Sequence, residues 1–170
     1  MHPASFCVSR LLRYTRLMER QKTKIKLVIF ALMFVTSWLP YSSNAKAEVV
    51  HKLAIHVNKN EPKLFHEILT NVENLERHYR ALDEEIVIEI VAYGGGIQML
   101  FSETSPVEGR IEYMTLSIEN IAFTACGNTL DAMEKSSGKK PMLIDGVEIV
   151  QTGITRLIQL QEEGYSYLKP

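Results

Sequence analysis

One stretch of this sequence could carry covalent chemistry: Ile121-Ala-Phe-Thr-Ala-Cys126-Gly127-Asn128-Thr129-Leu130. An apolar run ends at a thiol, and a glycine and two small hydrogen-bonding residues follow. The pattern predicts a strand-to-helix turn with the sulfur at the junction. Sulfur chemistry proceeds through the thiolate, and a free cysteine titrates near about 8.5. The start of a helix presents unpaired N–H groups and about half a positive charge, so it favours the anion. A persulfide or thiosulfonate is also an anion and would be served by the same donors. Gly127 lets the chain turn sharply and approach a ligand, and Asn128 or Thr129 is expected to cap the helix. The competing reading is that Cys126 only packs, since cysteine is among the most buried residue types.

Two further features are expected beside it. Gly94-Gly95-Gly96 stops an apolar run and could form an anion-binding nest of backbone N–H groups, or simply a tight turn. It lacks both the G-x-G-x-x-G and the GxxxxGK patterns, so nucleotide binding is not supported. His56 ends another apolar run and is a candidate proton donor or thiolate partner, or a half-buried packing residue. His51, His66 and His78 show no metal-ligand spacing, so neither a metal nor a cofactor is expected.

The first 47 residues read as a leader. Basic residues cluster from Arg10 to Lys26, an uncharged apolar run of 13 residues spans Leu27 to Leu39, Pro40 breaks it, and Ala45-Lys46-Ala47 offers a cleavage site. These are the three parts of a secretory signal peptide, and the run is short for a membrane span of about 20 residues. Met18 is a candidate true start. Cleavage near Ala47 would remove Cys7 and leave Cys126 as the lone thiol, with no intrachain disulfide open to it. Residues 48–170 hold 11 Lys and Arg against 19 Asp and Glu, a net charge of −8. That balance argues against nucleic acid, which needs basic contacts, and against anionic membranes; cleavage near Ala47 would leave a periplasmic or secreted protein without a stable membrane anchor.

The elements that must position these residues follow from periodicity. Strands are predicted over 51–57, 86–93 and 121–125, rich in β-branched residues. A helix of about five turns starts near Pro62, with Leu64, Phe65, Ile68, Leu69, Val72, Leu75, Tyr79 and Leu82 on its inner face. A short helix over 97–101, a loop over 102–108, and helices over 110–120, 128–135 and 152–163 complete the pattern. Ile111, Met114, Leu116 and Ile118 are expected on or near one face of their helix. Ile154, Leu157, Ile158 and Leu160 are expected inward, with Gly164 as a C-cap. Residues 142–144 and 147–150, either side of Asp145-Gly146, are expected as one interrupted strand or a small hairpin. Alternating strands and helices imply a mainly parallel sheet covered on both faces. Sites in such sheets gather beyond the carboxyl ends of the strands, which would bring together His56 to Asn58, Tyr93 to Gly96 and Cys126 to Thr129.

The strand Leu53-Ala-Ile-His-Val57, the run Ile88-Glu-Ile-Val-Ala-Tyr-Gly-Gly-Gly96, the block Phe123-Thr-Ala-Cys-Gly-Asn-Thr-Leu130 and the ending Gly164-Tyr-Ser-Tyr-Leu-Lys-Pro170 together resemble the DsrE/DsrF-like family, in its exported single-domain branch. The resemblance covers nearly all of residues 48–170. It implies a three-layer α/β/α domain assembled into trimers or hexamers. In the sulfur-relay members one cysteine carries a persulfide between a donor and an acceptor, and by position that role falls on Cys126. The expectation is therefore an exported sulfur carrier or sulfurtransferase-like protein, exchanging sulfur with a protein or small sulfur species. The alternatives are a non-catalytic oligomeric binding or assembly module with a structural cysteine, and a thiol redox sensor.

Overall fold

A computed structural model of the chain describes residues 49–170. The expected leader, its cleavage site at Ala47 and the candidate start at Met18 lie outside the described residues. Within them, no helix is long and apolar enough to cross a membrane.

Three strands form the centre: β1 (Val50–Val57), β2 (Glu85–Ala92) and β3 (Ile121–Cys126). Short strands β4 (Glu148–Val150) and β5 (Ser166–Leu168) flank them, in the order β4-β3-β2-β1-β5. All four pairings are parallel. The helices are α1 (Pro62–Ala81), a 3₁₀ helix (Gly94–Leu100), α2 (Glu108–Ser117), α3 (Gly127–Ser137) and α4 (Gly153–Glu162).

The layering follows from chain direction. From β1 to β4 the chain steps across the sheet one way, and right-handed crossovers then put every connecting helix on the same face. The β4-to-β5 connection runs back the other way, so α4 falls on the opposite face. The result is a three-layer α/β/α sandwich with unequal outer layers. Side chains alternate along each strand. Ile55, Val57, Ile88, Ile90, Ala92, Phe123 and Ala125 meet α1, α2, α3 and the 3₁₀ helix in the large core. Ala54 and Val91 cluster with Leu157 and Leu160 of α4, with Tyr93 and Tyr165 at the margin. The other buried strand positions of that second face are polar or reactive: His56, Glu89, Thr124 and Cys126.

Several expectations need correction. Residues 142–144 form neither part of a strand nor a hairpin; Leu143 makes an isolated antiparallel bridge to Phe101, and only Glu148–Val150 joins the sheet. On α4, Ile154 and Ile158 are 56% and 50% exposed. The buried face runs through Gly153, Arg156, Leu157 and Leu160, because the sheet beneath is partly polar and takes an arginine. Leu116, 88% exposed, points away from the face that buries Ile111 and Met114. Leu82 lies just past the end of α1 and is half exposed. The strand β5 in the tail had no apolar alternation to announce it.

Candidate functional site around Cys126

The three central strands end level, with Val57 beside Ala92 and Ala92 beside Ala125. On the α4 face this places Tyr93 next to Cys126 and His56 one row back. The convergence at the carboxyl edge is therefore physical: Gly94 N–H donates to Thr129 Oγ1 at 3.2 Å, and the His56 and Tyr93 rings stack with centroids 4.7 Å apart.

Cys126 itself occupies the N-cap position of α3, in extended backbone conformation (φ −77°, ψ 114°). Asn128 and Thr129 are thus first-turn residues rather than caps, a correction to the expected capping. A side-chain acceptor at an N-cap faces the amides of the second and third helical residues, the place usually taken by a serine or aspartate oxygen. The neutral thiol closes no capping hydrogen bond there. The charged sulfur would meet several donors. Burial pushes the thiol up, but the Thr129 hydroxyl and the amides of Gly153, Thr129 and Asn128 outweigh it and hold the Cys126 thiol below its ordinary value. Asn128 contributes least; its N–H is already given to Gln151 O at 3.0 Å. Because Gly94 N–H fills a lone pair of Thr129 Oγ1, the hydroxyl proton is free to turn toward sulfur.

The Gly153 donor comes from a second helix start. A Cβ on Gly153 would lie 3.2 Å from the Tyr93 ring, 3.3 Å from Val91 and 3.4 Å from Cys126 Cβ. An alanine there would have to push these neighbours back by a few tenths of an ångström, so the bare glycine lets α4 begin this close to Cys126. Gly127 plays a similar part toward β4, since a Cβ there would sit 3.1 Å from Val150 O. Two helix N-termini, those of α3 and α4, consequently converge on one sulfur atom. Cys126 is 6% exposed, with the Thr129 hydroxyl and the amides of Gly153, Thr129 and Asn128 among the groups that act on its sulfur.

The glycine triplet serves this arrangement sterically. Gly94 adopts φ +53°, and a Cβ on Gly96 would stand 2.3 Å from Val57 O, so the 3₁₀ helix packs its backbone directly on the end of β1. The amides of Gly94 and Gly96 are engaged within the protein, with Thr129 and with Tyr93 O at 3.1 Å. Gly95 sits between them and packs near Asn60.

His56 is 6% exposed. Its Nδ1 shares a 2.6 Å hydrogen bond with Tyr167 Oη, while Nε2 is buried without a partner. Burial first, and then the Lys169 charge, lower the His56 pKa, so the ring is neutral at physiological pH. Tyr93 is pushed up, by burial first and then by the neighbouring Tyr167 and Cys126, so its phenol stays protonated and can donate. Tyr93 lies where the expected convergence put it, whereas Tyr167 and Lys169 are members of this cluster that residue-type reasoning did not single out. The signal available was the run of tyrosines in the tail, whose placement depends on β5 pairing with β1. A cleft of about 570 Å³ lies at the opposite, amino ends of the strands, lined by Glu76, Arg80, Glu84 and Glu119 among others. It has carboxylates but no cysteine.

No protein-family model matches the sequence, and no curated protein matches it. Among solved structures the chain is similar to the protein of unknown function MTH1491 from Methanobacterium thermoautotrophicum, with a TM-score of 0.60 and 28% identity, over 71% of this chain and 99% of that one.

Proposed function

We propose that this chain is an exported sulfur carrier of the DsrE/DsrF-like kind, holding sulfane sulfur as a persulfide on Cys126. The observation that carries the reading is the placement of Cys126 at the N-cap of α3 with Gly153, the first residue of α4, packed directly against it. Donors arranged this way favour a sulfur anion before, during and after transfer. With thiosulfate as donor, the Cys126 thiolate attacks the outer sulfur. An S–S bond to Cys126 forms, the bond to the sulfite group breaks, and sulfite leaves with the electron pair. Atoms and charge balance with no oxidant, metal or cofactor. A persulfide donor reacts the same way and leaves a thiolate. The product persulfide is again an anion on the same donors, ready for attack by an acceptor thiolate.

Export rests on the leader pattern of residues 1–47, and assembly into trimers or hexamers rests on the family resemblance. The partner is a donor or acceptor protein or a small sulfur species, and the net acidic charge of residues 48–170 disfavours nucleic acid. The test is mass spectrometry of the Cys126 peptide after thiosulfate or polysulfide treatment. A gain of about 32 Da, one sulfur atom, on that peptide is expected. Failure to gain it, while a control thiol is labelled, rejects the reading. The 6% exposure of Cys126 favours one competing view, in which the cysteine is structural within a binding or assembly module. That view expects alkylation of the folded protein to be slow at every pH and fast only in denaturant.

A further inference from the structure

Arg156 lies one turn into α4 and reaches down to the middle of the sheet. Its Nε donates to Glu89 Oε1 at 2.9 Å and its Nη2 to Glu89 Oε2 at 2.6 Å. Thr124 Oγ1 donates to Glu89 Oε1 at 2.8 Å, completing a polar group in which Glu89 and Thr124 are buried and Arg156 is half-buried. The backbone N–H of Arg156 donates to Thr152 O at 3.1 Å and closes the first turn of α4. Beyond this, α4 buries only Leu157 and Leu160 among its large side chains.

An ion pair with its carboxylate buried gives little net stability relative to an apolar pair of the same volume. What it gives is geometry, because a guanidinium fork on a carboxylate permits essentially one orientation. Gly153 lies three residues before Arg156, and its bare backbone rests on Val91, Tyr93 and Cys126. The start of α3 is tied to the same lead-in through Asn128 N–H to Gln151 O at 3.0 Å. The first turn of α4 is thus pinned at two points, by contact at Gly153 and by the fork at Arg156.

We infer that Arg156 is a positioning residue for Cys126: its two-pronged bond to the buried Glu89 fixes the first turn of α4 and so holds the Gly153 amide against the sulfur. The inference deepens the sulfur-carrier reading, since it concerns what keeps that nucleophile charged. Titratable and charged groups on this face of the sheet include Tyr93 on β2, His56 on β1, Tyr167 and Lys169 in the tail, and the Glu89–Arg156 pair. Only the last pair is altered in the test.

The experiment is the pH profile of Cys126 alkylation, read by peptide-resolved mass spectrometry on the full-length chain. The midpoint reports thiolate formation, and the high-pH plateau reports access. Arg156→Met removes the fork; Glu89→Gln/Arg156→Met removes it without leaving a buried charge and without changing net charge. Val72→Ala, in the large core, is the control for lost stability alone. Both Arg156 variants should move the midpoint up, and relative to their own plateaus they should react about 2- to 10-fold more slowly at neutral pH, the factor set by one hydrogen bond. Val72→Ala should lower Tm and leave the midpoint in place. If Arg156→Met does not fold, the double variant decides. A double variant with the wild-type midpoint, or an equal shift in Val72→Ala, overturns the inference. Sulfur uptake is measured in parallel: a wild-type chain that takes up none, yet shows the Arg156-dependent midpoint, rejects the sulfur-carrier reading and upholds the positioning role.

Discussion

At the scale of single residues, the site is a contest between burial, which favours neutral groups, and directed donors, which favour an anion. Cys126 is where the donors win, and Thr129 is the strongest of them. Thr129→Val keeps the shape and removes the hydroxyl. The alkylation midpoint of Cys126 should therefore rise in Thr129→Val and return toward wild type in Thr129→Ser; an unmoved midpoint in the valine variant removes the hydroxyl from the account. His56 is where burial wins. Its folded-state pKa lies below the ordinary histidine value of about 6.5. As pH falls through that value the unfolded chain takes up the proton first, so the contribution to stability is complete above about pH 6.5 and is lost as pH falls toward the folded-state value. Tm measured from pH 7.5 down to 5 should decline less steeply in His56→Phe than in wild type, although the variant starts lower for want of the Tyr167 hydrogen bond. Parallel slopes would mean that the ring is not held neutral.

Among the elements, what was legible in the sequence is what local pattern controls. The long stripe of α1, the β-branched runs of β1 and β2, and the turn after β3 each carry their own signal, and residues 50–57, 62–81, 85–92 and 121–126 form the expected elements within a residue or two. The meeting of His56, Tyr93, Gly94 and Thr129 at one edge also followed, because parallel topology alone dictates it. What was not legible depends on the partner surface. An apolar helix stripe suggests that Ile154 and Ile158 face inward, but the sheet face opposite carries Glu89 and Thr124, and α4 turns Arg156 to it instead. The three residues of β5 are all exposed and gain their identity only by pairing with β1. The glycines divide along the same line. Gly96→Ala forces a Cβ into the backbone of Val57 and should cost about 3 kcal/mol by thermal or denaturant unfolding. Gly153→Ala gains up to about 1 kcal/mol from reduced backbone freedom, against contacts of 3.2–3.4 Å that need only a small shift. Stability should thus change little while the first turn of α4 lifts and the Cys126 midpoint rises. A large loss of Tm with an unchanged midpoint would show that the close approach serves packing alone.

For the whole molecule, the inequality of the two outer layers decides how a buried sulfur can react. α1 alone buries Phe65, Ile68, Leu69 and Val72 against the sheet, each worth about 1.5–3 kcal/mol of transfer free energy. The opposite layer has one helix with two buried leucines, an ion pair that contributes orientation more than stability, and a three-residue edge strand. Local opening free energies track buried apolar contact, so α4 and β5 should form the unit that opens first, while β1, β2 and β3 hold until global unfolding. Opening that unit would uncover Cys126 and Tyr93 with the central sheet intact. Hydrogen exchange read by segment should show amides of 153–168 exchanging faster than those of 86–92 and 121–125. The plateau rate of Cys126 alkylation should follow the 153–168 exchange when mild denaturant is added, and it should stay uncoupled from the central strands. Were α4 and β5 to exchange as slowly as β1 to β3, the thiol would have to react through the closed structure, and with 6% of its surface exposed it would then behave as a packed side chain.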